Sequence, residues 1–260
     1  MMKRSIELYG IPFSKGSLSK NEGCKKAPNI IHSSLRDYYL NENHEETKIN
    51  YKEIKLDSSN IESFYKKLEE KIKLLKKLNK IGFLGGDHSL TYPIVSAIKP
   101  EVLIIFDAHL DCQDEFIPPT HEDYLRSLID KGKINEENVF HIGLRNLSKE
   151  EKDWLVESNI NLYSMREYSD LDLIFKKISS KIKDKNTHIS FDFDVLDIST
   201  AFATGYPEPA GYNTREIINF ISKLKKFIKL NSFDFVEFNP ELDKNDICLK
   251  TASKVVNELI

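Results

Sequence analysis

Short apolar runs rich in β-branched residues alternate with helix-type patterns along the whole chain of 260 residues. The runs that predict strands span residues 5–10, 51–56, 81–84, 102–106, 138–143, 160–164, 187–193 and 232–238. The helical patterns span residues 28–38, 61–78, 89–98, 121–131, 148–158, 169–183, 214–227 and 244–259. Strict alternation predicts a mostly parallel sheet covered by helices, because parallel neighbours need a crossover connection.

Two architectures suit eight strands in a chain of this length, a closed barrel and an open three-layer sandwich, and periodicity alone leaves both open. We predict one domain over residues 1–260, because an α/β chain of this length commonly forms a single domain. In either architecture, ligands bind at the carboxyl ends of the strands.

Composition argues against several classes of protein. Lys and Arg number 38 against 41 Asp and Glu, so the basic excess that attracts nucleic acid is missing. A run of ~18 apolar residues occurs nowhere, so we expect neither a membrane span nor a secretion signal. The three cysteines, Cys24, Cys112 and Cys248, are widely spaced and form no CxxC pair, which favours a reduced, cytoplasmic setting.

Four of the predicted strands stop at acidic or imidazole residues. The first runs into "GGDHS", where Gly85 and Gly86 allow a tight turn and deliver Asp87 and His88 before a helix that Ser89 could cap. The other three strand ends carry Asp107, His109 and Asp111; Asp192, Asp194 and Asp197; and Glu237. If the backbone stays extended, side chains two positions apart share a face. Five carboxylates and two imidazoles then meet at one edge of the sheet.

Such a group of carboxylates would repel one another in a partly buried pocket unless cations lie among them. Carboxylate oxygens with a minority of imidazoles suit Mn²⁺ or a similar divalent ion. Six ligands are enough for two metals that share bridging Asp residues and lie about 3.5–4 Å from each other. A water bound between the two metals would have its pKa lowered toward neutrality. The pattern therefore predicts a two-metal hydrolase.

Four segments, "GGDHS", "DAHLD", "SFDFDVLD" and "VEFNPELD", resemble the arginase/agmatinase superfamily of manganese-dependent ureohydrolases in both order and spacing. The segments "GCKKAPNIIHSSLRD" and "TGYPEPAGYNTRE" are also similar to that family, so the resemblance covers nearly the whole chain. It implies an arginase-like three-layer α/β/α fold with a mostly parallel sheet of about eight strands. It also implies a homo-oligomer.

The resemblance implies two Mn²⁺ ions per chain. One ion would be held by His88, Asp107, Asp111 and Asp192. The other would be held by Asp107, His109, Asp192 and Asp194, so that Asp107 and Asp192 bridge the pair.

The same resemblance implies three catalytic roles. Glu237 would bind the substrate guanidinium, since a planar cation pairs bidentately with a carboxylate, and Asp111 would orient the nucleophile. His121, in "PPTHEDYLRSL", would contact the substrate and deliver a proton to the leaving amine. The chain departs from the family pattern at Glu122, where a small residue normally stands, and at Ile198, where Pro is usual.

The histidines outside these motifs are interpreted as having no catalytic role. His141 and Arg145 lie in "HIGLR", which resembles another family segment, and we interpret His141 as a packed strand residue. His32, His44 and His188 have no motif around them, so we interpret them as structural or exposed.

The loop after "DAHLD" bears on the substrate. Arginases hold the amino-acid end of arginine through Asn and Ser residues here, whereas "CQDEFIPPT" has neither and offers Asp114 and Glu115. An acidic loop suits a small guanidino cation with a free ammonium and no carboxylate. This favours agmatine, hydrolysed to putrescine and urea, a reaction of polyamine biosynthesis.

Alternatives stay open at this point. One is arginase activity, and another is hydrolysis of formimidoylglutamate, for which Arg126 or Arg145 would bind carboxylates. A metal-dependent phosphoesterase would need Lys or Arg beside the metals. The non-enzyme alternative is an inactive ligand-binding paralogue, which the complete set of ligand positions disfavours.

Overall fold

The structure, a computed structural model, describes residues 4–38, 40–75 and 80–260. Its strands are β1 (Arg4–Gly10), β2 (Thr47–Glu53), β3 (Ile81–Leu84), β4 (Val102–Phe106), β5 (Val139–Ile142), β6 (Asn161–Tyr163), β7 (Asn186–Asp192) and β8 (Lys229–Val236). They form one sheet in the order β2-β1-β3-β8-β7-β4-β5-β6, with every pair parallel. The order leaves β2 and β6 as edges, so the sheet is open and the barrel alternative is excluded.

Helices cover both faces of the sheet. They are α1 (Ala27–Ser34), α2 (Ile61–Leu75), α3 (Thr91–Ile98), α4 (Tyr124–Asp130), α5 (Lys149–Glu157), α6 (Leu171–Ile182), α7 (Thr214–Leu224) and α8 (Ile247–Leu259). One apolar cluster joins the sheet to α1, α6, α7 and α8, and two others join it to α2, α3, α4 and α5. The prediction of a three-layer α/β/α fold is confirmed.

Local sequence signals explain several of these elements. Helix α2 buries Phe64, Leu68 and Ile72 on one face, as its spacing predicts, and residues 76–78 of that predicted helix lie outside the described residues. Helix α5 begins with a capping box, in which Ser148 and Glu151 each accept the other's backbone N–H. In the described part of the chain, every helix is too short or too polar to cross a membrane.

Among the described strands, β2 shows the largest displacement from its predicted bounds. The prediction was 51–56, and the strand runs over residues 47–53. Because β2 lies at the edge of the sheet, it contributes only partly buried side chains such as Ile49 and Tyr51 to the core. Its apolar pattern is therefore too sparse to mark its start.

Candidate metal centre and active site

The four strands that precede the candidate residues are neighbours at the centre of the sheet, in the order β3-β8-β7-β4. They are far apart in sequence. Because all four are parallel, their carboxyl ends meet at the same edge. The topology thus brings "GGDHS", "DAHLD", "SFDFD" and "VEF" together.

The first ligand group surrounds the imidazole of His88. Its Nδ1 atom lies 3.0 Å from Asp107 Oδ2, 3.2 Å from Asp111 Oδ2 and 3.0 Å from Asp192 Oδ2. Both His88 Nδ1 and Asp107 Oδ2 are buried, and neither has a partner in hydrogen-bond geometry among the described residues. One imidazole nitrogen can share at most one hydrogen, so three carboxylate oxygens around it fit a bound cation better than a hydrogen-bond network.

A second group lies beside the first and shares Asp107 with it. His109 Nδ1 is 3.0 Å from Asp194 Oδ2 and 3.7 Å from Asp107 Oδ1. Asp107 therefore presents one oxygen to each imidazole, as a bridging ligand would. Asp192 directs Oδ2 to His88 and accepts the Asp194 N–H with Oδ1 at 2.8 Å, so its second bridging contact stays a prediction.

The electrostatics of the two groups also fit divalent cations. Burial, together with the charge of Asp107, raises the pKa of Asp111 to about 8. Burial and the neighbouring aspartates raise the pKa of Asp192 well above its usual value. These carboxylates are costly to ionise by themselves, and nearby cations would remove that cost.

The backbone reaches this arrangement by a different route from the one predicted. The chain leaves strand β4 after Phe106, and Asp111 adopts a left-handed conformation with φ of 56°. Asp194 lies in a 3₁₀ turn, Phe193–Val195, whose N-cap is Asp192. The assumption of an extended backbone is wrong, because short turns that Asp tolerates, rather than strand alternation, direct these side chains together.

The "GGDHS" turn also differs from expectation. Gly85 and Gly86 are not among the positive-φ glycines, and a Cβ on Gly86 would lie 1.7 Å from the carbonyl oxygen of Phe13. Close packing therefore explains that glycine. Asp87, not Ser89, caps the turn that begins at His88, since its carboxylate accepts the Ser89 N–H at 3.1 Å.

Sequence reasoning missed a buried network beneath His88. His88 Nε2 lies 3.0 Å from Ser190 Oγ, which donates to Asp234 Oδ1 at 2.7 Å. The other oxygen of Asp234 lies 2.7 Å from Nε2 of His188, a fully buried residue. Such outer partners fix the orientation of a ligating imidazole. His188 and Ser190 precede Asp192 by four and two positions in β7, and this alternation was the available signal.

A second missed residue is Glu208, in the "YPEPAGY" segment. Its Oε1 atom lies 3.4 Å from His109 Nε2 and accepts a hydrogen bond from Asn146 Nδ2 at 2.6 Å. The carboxylate therefore orients the imidazole of the second ligand group, as a carboxylate commonly does for a metal-binding histidine.

Glu237 and His121 face the same cavity as the ligand groups. Glu237 Oε1 accepts the His88 N–H at 2.7 Å, and Oε2 accepts the Asn21 amide at 2.6 Å. His121 Nδ1 lies 3.7 Å from Glu237 Oε1. Burial alone would lower the pKa of His121, but the Glu237 carboxylate raises it to about 9. Burial opposes ionisation of Glu237 too, yet His121 and Asn21 hold its pKa below the usual value.

A cavity of about 200 Å³ lies over these groups. Its lining residues are His88, His109, Asp111, Gln113, His121, Glu122, Asn146, Ser148, Glu151, Asp192, Asp194, Thr204, Tyr206 and Glu237. The lining contains several carboxylates and, among the described residues, neither Lys nor Arg.

Other candidates from the sequence lie outside this cavity. Asp114 pairs with Arg126 at 2.9 Å, and Glu115 pairs with Lys131 at 2.7 Å, so the argument that the two acidic residues face the substrate is wrong. Arg145 donates to six backbone carbonyl oxygens, among them that of Asp194. The two arginines considered as carboxylate binders are thus committed to the protein itself.

His141 is buried in β5, as predicted for a packed strand residue. Its Nε2 atom lies 2.6 Å from the carbonyl oxygen of His109, and burial lowers its pKa. Asp197 binds the backbone of Ser199 and Gly211 rather than joining either ligand group.

Comparisons with known proteins agree on the class of this chain. A family model described as the arginase family matches residues 4–260. Agmatinase from Bacillus anthracis is 30% identical over 269 residues, which cover 98% of this chain and 90% of the relative. Agmatinase from Pyrococcus horikoshii is 29% identical over 264 residues, with 96% and 88% covered. The solved structure of formimidoylglutamase from Bacillus subtilis superposes with a TM-score of 0.88 at 25% identity, covering 98% of this chain and 86% of that one.

The chain therefore belongs to the arginase family, and the resemblance read from its motifs is confirmed. It is a hydrolase that acts on amidine or guanidino carbon–nitrogen bonds, as predicted. These matches leave the particular substrate open.

Proposed function

We propose that this protein is a binuclear manganese-dependent ureohydrolase that converts agmatine to putrescine and urea. The observation that carries the proposal is one cavity in which two ligand groups sharing Asp107 lie beside the carboxylate of Glu237 and the imidazole of His121. A homo-oligomer, a cytoplasmic location and a single domain over residues 1–260 belong to the same proposal.

The proposed ligands of the two Mn²⁺ ions are His88, Asp107, Asp111, Asp192, His109 and Asp194. The buried and unpartnered atoms His88 Nδ1 and Asp107 Oδ2 support this assignment. When bound, the two ions would supply a nucleophilic water whose pKa is lowered toward neutrality.

Side chains of the protein bind the substrate, orient the water and transfer the proton. Glu237, fixed by the His88 N–H and the Asn21 amide, binds the guanidinium and holds its carbon over the ligand groups. Asp111 accepts a hydrogen bond from the attacking water and orients it. The oxygen of this water forms a bond to the guanidinium carbon, and its first proton passes to Asp111. The bond between that carbon and the chain-bearing nitrogen then breaks as His121 donates a proton to that nitrogen and takes back the remaining proton of the former water. The products are urea and a primary amine.

The cavity lining favours a substrate without a carboxylate. Glu122 and Glu151 lie in the wall, and neither Lys nor Arg is among the described lining residues, so the carboxylate of arginine would be repelled. The carboxylates of formimidoylglutamate would be repelled in the same way. Arg126 pairs with Asp114 and Arg145 donates to backbone carbonyl oxygens, so neither binds these carboxylates. A phosphoesterase would also need a free cation beside the metals, and the full set of ligand side chains disfavours an inactive paralogue.

Product release by purified, Mn²⁺-loaded protein tests the proposal. Agmatine, arginine, 4-guanidinobutyrate and formimidoylglutamate are offered in parallel, and bound metal is determined on the same sample. We expect two metals per chain and a kcat/KM for agmatine at least about tenfold above that for the others. Two bound metals with urea from arginine alone would contradict the substrate assignment, and a metal-free active enzyme would contradict the mechanism.

A further inference from the structure

Glu122, the residue at which the chain departs from the family pattern, lies at the mouth of the cavity. Its main chain is held in place, because the Glu122 carbonyl accepts the Gln113 N–H at 3.0 Å and its own N–H reaches Thr120 Oγ1 at 3.3 Å. Its side chain is 32% exposed and lines the cavity. The backbone is therefore fixed while the carboxylate remains accessible to a ligand.

Among the described residues, the ionic contacts of the Glu122 carboxylate are loose. Its Oε1 atom lies 3.7 Å from Lys20 Nζ and 3.9 Å from His121 Nε2, and both distances exceed that of a hydrogen bond. The Lys20 side chain is 55% exposed and lies over the ring of Tyr206, so a substrate can displace it at little cost.

The other carboxylates in the lining have closer partners. Glu237 accepts the His88 N–H and the Asn21 amide, whereas Glu151 accepts the N–H groups of Cys112 and Ser148. The lining aspartates Asp111, Asp192 and Asp194 surround the imidazoles of His88 and His109. Among the described lining residues, Glu122 is thus the carboxylate best able to accept a new partner.

The position of Glu122 relative to the chemistry is defined by His121. Glu237 approaches Nδ1 of this imidazole at 3.7 Å, and Glu122 approaches Nε2 at 3.9 Å, so the two carboxylates lie on opposite sides of one ring. If Glu237 binds the guanidinium and His121 protonates the leaving nitrogen, as proposed above, Glu122 lies at the edge of the ring away from Glu237, where the tail of the substrate can reach it.

We propose that Glu122 selects the substrate tail by binding a second cationic group at its far end. The inference rests on the proposed function, which it deepens by naming the residue that recognises the primary ammonium at the end of the guanidino substrate. Glu122 releases Lys20 when the ammonium arrives. A neutral tail gains nothing from this carboxylate, and an anionic tail is repelled by it.

The test compares agmatine with butylguanidine, which has a methyl group in place of the aminomethyl end. The readout is the ratio of the two kcat/KM values in Mn²⁺-loaded wild type and Glu122→Gln. We expect the substitution to lower this ratio about tenfold through the KM for agmatine, because one charge-assisted contact is lost. Glu122→Lys should lower it further and raise kcat/KM for 4-guanidinobutyrate.

Glu115→Gln is the matched control, because Glu115 comes from the same stretch of chain, pairs with Lys131 and lies outside the cavity lining. Its ratio should equal that of the wild type. An unchanged ratio in Glu122→Gln would overturn the proposal. An equal loss on both substrates, with a shifted pH profile, would also overturn it, since Glu122 would then act by positioning His121.

Binding measurements separate this inference from the proposed function. If wild type releases no urea from agmatine, the proposed function fails, and calorimetric Kd values of agmatine and butylguanidine take the place of kcat/KM. A Kd for agmatine that rises about tenfold in Glu122→Gln, with that for butylguanidine unmoved, would still support tail recognition. Equal Kd values in the two proteins, or no binding by either, would reject it.

Discussion

The floor and the mouth of the cavity are built in different ways. The floor consists of the strand-end residues His88, Asp107, His109, Asp111, Asp192, Asp194 and Glu237. The mouth is formed by Glu122 and Tyr206, and Lys20 lies beside them outside the cavity lining; all three residues lie in loops. Most floor side chains are buried, and several are fixed by backbone N–H groups. The mouth is partly exposed, and the ionic contacts of Glu122 there are 3.7 and 3.9 Å long.

This contrast separates the residues that define the reaction from those that select the substrate. A change in the floor alters the charge balance of a buried site, where unpaired groups are costly, so its residue types are tightly constrained by the reaction. A change in the mouth alters contacts that water already weakens, so it can vary with the substrate. The floor therefore defines the reaction, and we expect the mouth to define which guanidino compound is used.

Asp192→Ala should have the largest effect, because Asp192 contributes an oxygen to the first ligand group and caps the turn that carries Asp194. We expect loss of bound metal and of turnover, by more than the ~10–100-fold that loss of an outer partner costs. Metal analysis and urea release on the same sample measure both. Asp197→Ala, in the same loop but outside the ligand groups, is the control, and an Asp192→Ala protein with two metals and full activity would refute the assignment.

His121→Asn should reduce kcat about 10³-fold while leaving the metals bound, because His121 lies outside both ligand groups. The pH dependence is the sharper test. The pKa of His121 is raised to about 9, so the imidazole keeps its proton through neutral pH and loses it as pH rises through that value. The kcat/KM of the wild type, which reports the free enzyme, should therefore fall above about pH 9. If the activity of His121→Asn falls over the same pH range, the pKa belongs to another group.

Glu237→Gln removes the negative charge but keeps the shape of the side chain. We expect kcat/KM for agmatine to fall about 100-fold, because a buried charge-assisted pair with the guanidinium is lost. Metal content should stay at the wild-type level, which distinguishes this variant from Asp192→Ala. Metal loss in Glu237→Gln would show instead that its hydrogen bond to the His88 N–H supports the ligand group.

The sequence predicted the order of strands and helices well because the central strands β3 and β4 are short apolar runs, and β7 and β8 carry apolar residues at alternate positions. Strand β2 was misplaced because an edge strand buries little. The open sheet, rather than a barrel, could not be derived from periodicity, since both use the same local pattern. The family resemblance supplied that choice.

For the site, the motifs correctly predicted that these side chains lie together at one edge of the sheet, but for partly wrong reasons. Turns at Asp111 and Asp194, not an extended chain, bring the carboxylates together. The partners of Glu115 and Asp114 could not be foreseen, because pairing across a loop and a helix depends on tertiary packing. Because Asp114 and Glu115 lie outside the cavity, Glu122 is the residue of this segment that we expect to select the substrate.

Lys20→Met should produce the smallest effect and tests the mouth alone. The Lys20 ammonium lies 3.7 Å from Glu122 and competes with a cationic tail for the same carboxylate. Its removal should lower the KM for agmatine by about twofold with kcat unchanged, since a partly exposed ion pair contributes little. Raising the salt concentration should reduce this difference, because exposed charges are screened while buried ones are not. Steady-state kinetics at low and high salt measure both effects. A change in kcat or in metal content of Lys20→Met would instead show that residues at the mouth influence the ligand groups in the floor. The two regions would then not act separately on reaction and substrate selection.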